Sequence, residues 1–144
     1  MRNLIVKKLK IIKLVKELSR KIDSIKTEKY TLSSEVESEK YKIKSLVSER
    51  DRVTPDAGVH ASEYLMNSFN YKLKLTEDIS LLQTSVKKKS RKVQKMNKEL
   101  LSLVSKKMSS EKLIERLDKK ISLLEAKREQ QDMEQLTINQ MYNQ

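Results

Sequence analysis

Side chains that do chemistry need partners at fixed spacings, and this chain offers few. Its one histidine, His60, closes the stretch Asp51-Arg-Val-Thr-Pro-Asp-Ala-Gly-Val-His60, which also carries the only Pro and the only Gly. A serine nucleophile would have no other imidazole to activate it, and a histidine in such a turn reads as a surface residue. The absence of Cys removes thiol catalysis, disulfides and, with one His, any Zn constellation. A single glycine, Gly58, excludes the Gly-rich loops that bring backbone amides up to phosphates. The expectation is a protein that is not an enzyme, with no cofactor, no metal and no small-molecule substrate.

Composition points the same way. The 144 residues suffice for one domain. Ala, Glu, Lys, Leu and Arg fill 68 positions, near the half share typical of long helices and coiled coils, while aromatics are only 4%. The start of the chain is apolar but interrupted by lysines every few residues, too broken for a signal-peptide core or a membrane span. A cytoplasmic location is expected, with a mitochondrial presequence as the alternative.

The elements that position these side chains follow from a heptad pattern. Leu4, Ile11, Leu18, Ile25, Leu32, Glu39 and Leu46 alternate with Lys8, Val15, Ile22, Lys29, Val36, Ile43 and Arg50, and ten of these fourteen are apolar. After the Pro/Gly stretch the alternation resumes at Leu75 and runs through Ile79, Leu82, Val86, Lys89 and onward to Leu124, with twelve of fifteen apolar. This is the a/d seam of a coiled coil. Pro55 and Gly58 inside one continuous helix would cost roughly 3 and 1 kcal/mol, so a chain reversal is favoured. The predicted fold is all-α: two long helices, about 3–52 and about 60–141, joined by a turn at about 53–59 and folded into an antiparallel coiled-coil hairpin. A reversal centred near residue 56 makes paired residue numbers sum to roughly 112 and sets Leu4 against Met108. The second helix would then overhang by about 35 residues, with Ile114, Leu117, Ile121 and Leu124 seeking a partner.

The net charge of +12 is concentrated. Residues 1–26 carry nine cations against Glu17 and Asp23, and residues 86–107 carry nine against Glu99. The same pairing stacks the two stretches, which suggests an external acidic surface to balance them. Three readings stand: a solvated surface, a partner with acidic loops, and nucleic acid. The last lacks stacking aromatics and a basic region feeding a parallel zipper. Membrane-surface binding by the basic first helix is a minor variant.

Past the turn, Phe69 and Leu73 stand four apart, and Thr76 and Ser80 extend their line. In the register of Leu75, Ile79 and Leu82 these are e and b positions, pointing off the seam. Either the register shifts near the turn and tucks Phe69 inward, or this is a face for a partner.

These features resemble the FliJ family, the small coiled-coil stalks of flagellar protein export, and its injectisome counterparts. The resemblance rests on the basic hairpin, the Pro/Gly turn after some 50 residues, the stretch Tyr64-Leu65…Phe69…Leu73…Ile79, and the tail from Leu123 through Leu136 and Thr137-Ile-Asn-Gln. It implies a non-catalytic shaft that inserts into and stimulates a hexameric export ATPase. It also implies contact with the cytoplasmic domain of the export-gate membrane protein, and carriage of export chaperones, at the inner face of the cell membrane. On that basis Phe69, Leu73 and Thr76 would meet the export gate. Lys87, Lys88, Arg91 and Lys92, with Ile114, Leu117, Ile121 and Leu124, would meet the ATPase ring. Ser80 is smaller than the family's side chain there, and Asp132-Met-Glu134 separates two carboxylates that relatives place together. The competing readings are a self-associating scaffold or tether whose overhang zips onto another copy, and a basic nucleic-acid binder.

Overall fold

The computed structural model describes residues 1–53 and 61–143. Pro55, Gly58 and His60 lie outside the described residues. The architecture is all-α, with α1 over Arg2–Arg52 and α2 over Ala61–Tyr142 packed antiparallel as a hairpin. Among the described residues no helix is long and apolar enough to cross a membrane.

The heptad seam is where the sequence puts it. All fourteen seam positions of α1, from Leu4 to Arg50, are buried or half-buried, as are those of α2 from Leu75 to Ile121. Leu18, Ile22, Val36, Leu75, Ile79, Leu103 and Leu117 form the best-covered part. Both helices are long because little interrupts them: the sequence has no Gly or Pro within either helix, and straight-chain Leu, Lys and Glu favour helix. Arg50 and Arg52 lie in the last turn of α1 and complement the exposed carbonyls there, while Glu63 lies in the first turn of α2. Threonines facing solvent return their hydroxyls to the helix, as Thr31 does to the Thr27 carbonyl and Thr137 to the Met133 carbonyl.

The chain divides into two compact units, Met1–Ser24 with Leu100–Gln144, and Ile25–Glu99. In the second unit, Glu39 meets Ser85 and Lys89, Glu35 meets Lys89, and the Tyr71 hydroxyl donates to Glu49. These partners' numbers sum to between 120 and 128, not the 112 expected from a turn centred near residue 56. In the first unit Lys8 bonds Asp118 at 2.5 Å, so Leu4 lies near Ile121 and not against Met108.

The shift corrects the expected overhang. Leu117 is 3% exposed and Ile114 and Ile121 are half-buried, so these three belong to the intramolecular seam. Only from residue 122 are all described positions exposed. The unpaired stretch is therefore 122–143, six turns of helix, because α2 begins lower against α1 than a tight reversal would place it.

Candidate partner-binding faces

The first candidate face is built on the first turns of α2. Ser68 and Lys72 continue the seam upward from Leu75 and are half-buried, which leaves little apolar seam for α1 to cover. Phe69 and Leu73, one position round from that seam, stay outside: Phe69 is 65% and Leu73 48% exposed. No local register shift tucks the ring inward. Tyr64, Leu65 and Met66 are exposed beside them, so six of the ten side chains from Tyr64 to Leu73 are large, apolar or aromatic and accessible. Leu65, Ser68, Phe69 and Lys72 line a shallow hollow of about 330 Å³ on this ridge. Thr76 is exposed further along, with its hydroxyl donating to the Lys72 carbonyl at 2.9 Å, and Ser80 is exposed as well. Phe69 and Leu73 thus form a single apolar ridge, while Thr76 adds only a small polar surface.

The second candidate face is basic. Lys87, Lys88, Arg91 and Lys92 are all exposed on α2, and none of the four has an ion pair among the described residues. Lys89, in their midst, behaves differently. It sits on the seam with a side chain 28% exposed, reaching Glu35 at 3.2 Å and Glu39 at 2.5 Å. The hydrogen bond from the Lys89 ammonium holds the Glu39 carboxyl below the usual carboxylate range, outweighing the opposing effect of burial, and Ser85 adds a further donor at 3.0 Å. The same contacts, Glu39 first and Glu35 next, push Lys89 above the ordinary ammonium value. Within this unit Lys89 is the member of the basic run that meets carboxylates of α1. Within the other, Lys8 faces Asp118. The observed register sets most of the stretch 86–107 against about 25–39 and confines the like-charge stacking expected from the tighter reversal to the overlap of 18–26 with 99–107.

Comparison with protein-family models, curated proteins and solved structures finds no match to this chain. The site residues are therefore judged by placement alone.

On that basis the residues proposed for a ring partner separate into two groups. The four cations are free to meet another molecule, and so is Leu124, which is exposed. Ile114, Leu117 and Ile121 are already committed to α1. No group of three or more His, Asp or Glu side chains that could hold a metal ion occurs among the described residues. Sequence reasoning passed over a further apolar set lying beside the seam of the first unit: Ile5, Leu9, Leu101, Val104 and Met108 are all exposed. Their signal was present as e and b positions of the heptad, one place round from the counted a and d.

Proposed function

We propose that this chain is a non-catalytic coiled-coil stalk of a flagellar- or injectisome-type protein export apparatus, working at the cytoplasmic face of the cell membrane. In this reading it inserts into and stimulates a hexameric export ATPase, touches the cytoplasmic domain of the export-gate protein, and hands on export chaperones. The observation that carries the reading is the Phe69–Leu73 ridge. A helix whose seam is elsewhere has no internal use for an accessible phenyl ring flanked by Leu65 and Met66, and such a ridge suits a protein partner. The unpaired cations Lys87, Lys88, Arg91 and Lys92 suit acidic loops, whose approach they would accelerate at low salt.

The test is to add the chain to the export ATPase of the same organism and follow ATP turnover together with the mass of the complex. Association at less than one chain per ATPase subunit, with increased turnover, is the expected result. A chain that neither joins the ring nor alters turnover overturns the stalk reading. A scaffold or tether is the second reading, favoured by the exposed apolar side chains Ile5, Leu9, Leu101 and Met108, which have no role in a monomeric hairpin seam.

A further inference from the structure

In the unit formed by Met1–Ser24 and Leu100–Gln144, two unpartnered surfaces match each other. One is the helical stretch 122–143, exposed throughout. At 1.5 Å per residue it is about 33 Å long. The other is a shallow groove along one side of the seam. Its walls are Ile5 and Leu9 from α1 at one end, and Leu101, Val104 and Met108 from α2 at the other, all exposed. On α2 the flank from Leu101 to Ile121 is about 30 Å long, close to the length of the free stretch.

We propose that two copies of the chain exchange these surfaces reciprocally. Each copy's residues 122–143 lie as a third helix along the other copy's groove, with a two-fold axis near Ile121. This symmetry fixes which side chains meet. The free stretch runs antiparallel to the partner copy's α2, so positions equally far from Ile121 lie at one level. Lys127 then comes level with Glu115, with Arg128 one residue further on, and Glu115 is an acidic side chain on the groove's edge that forms no ion pair among the described residues. Asp132 and Glu134 come level with Lys16 and Arg20 of α1, both exposed. The apolar residues follow the same rule: Met133 falls beside Met108, Ile138 beside Val104, and Met141 beside Leu101.

Charge complementarity at two places along the stretch, with opposite sign at each, sets one direction for the docked helix and disfavours the reverse. The contact is isologous, so it closes at two copies and is made twice. Doubling matters because a single exposed helix laid on a shallow groove falls short of the ~1,200–2,000 Å² that a stable interface buries in total. The docked segment supplies the apolar cover that Ile138, Met141 and Leu101 lack in one chain. This inference does not depend on the stalk reading, and no ATPase enters its test.

The test is the mass of the full chain by light scattering or sedimentation, from about 1 to about 200 µM at low salt, a range that bounds micromolar association. The expected species is a dimer. Reversing Lys127→Glu with Arg128→Glu should weaken it at least tenfold, and adding Glu115→Lys should restore it. All three positions are exposed, and circular dichroism verifies that each variant stays helical.

A second measurement uses the absence of native cysteine. A chain carrying both Val104→Cys and Ile138→Cys should form a covalent dimer on mild oxidation. Within one copy those positions are about 50 Å apart along the same helix and cannot meet. A monomer at every concentration overturns the proposal. A dimer indifferent to charge reversal and giving no covalent product overturns it as well, since another face must then hold the copies together.

Discussion

Glu39 and Lys89 show how a single polar pair operates on a hydrophobic seam. Both occupy positions that Leu, Ile or Val fill elsewhere, and the Glu39 side chain is 15% exposed. One carboxylate oxygen, Oε1, receives Ser85 and Lys89, while Oε2 is buried with no hydrogen-bond partner. Such a pair is weak evidence for stability, because desolvation opposes the attraction, but it penalises any register that separates the two charges. The pH dependence follows from the shifts. Glu39 is lowered in the folded state, so its contribution is present above the unfolded carboxylate value of about 4.3 and disappears as pH falls through the folded one. Lys89 is raised, so its contribution is full below the unfolded ammonium value of about 10.4 and disappears as pH rises through the folded one. Melting followed by circular dichroism should therefore show a loss of stability on acidification below about pH 4, and Glu39→Gln should flatten that loss while lowering stability at pH 7. Replacing both residues with Leu should leave the hairpin as stable or more so. The cost should appear as a less singular register, visible as additional amide resonances.

At the scale of the helix, the decisive quantity is where α2 stops being covered. Leu117 and Leu124 are both seam leucines seven residues apart, yet the first is 3% and the second 39% exposed. Leu117→Ala should cost about 2–3 kcal/mol in urea unfolding, the lower part of the range for buried leucines because two helices enclose a site less fully than a globular core. Leu124→Ala should stay within about 0.5 kcal/mol in the monomer. Equal losses at both positions would place the end of the paired segment beyond Leu124. The same boundary governs amide exchange: protection should be high around Leu103 and Leu117 and should drop beyond residue 122 at concentrations too low for association.

The whole molecule is a basic chain with much of its apolar surface outside the seam. Its charge of +12 sets the salt sensitivity of whatever it meets, and its exposed apolar residues set the affinity. Phe69→Ala tests the second without disturbing the first. With its ring already 65% exposed, removal should leave helicity and melting unchanged while weakening the proposed contact with an export gate by about 2 kcal/mol or more, the size of a hot-spot aromatic. Unchanged affinity in a binding titration with the gate's cytoplasmic domain would remove Phe69 from that contact. A loss of helicity would show instead that the ring supports the fold.

Counting a and d positions was enough to pick out residues that are all buried or half-buried from Leu4 to Arg50 and from Leu75 to Ile121, because burial in a two-helix seam repeats with the helix itself. The e and b placement of Phe69 and Leu73 was legible for the same reason, though periodicity alone left open whether the register slipped near the turn. Pairing across the seam was not legible. A heptad repeat says which side of a helix is covered and nothing about how far one helix slides along the other, since a slip of one heptad again sets apolar side chains against apolar side chains. Only the tertiary structure decided that Glu39 meets Lys89 and Lys8 meets Asp118. That choice moved Leu117 from a presumed free end into the best-covered position of the seam. Local periodicity is a property of one strand of sequence, whereas register is a comparison of energies between two, and here sparse polar pairs tip it.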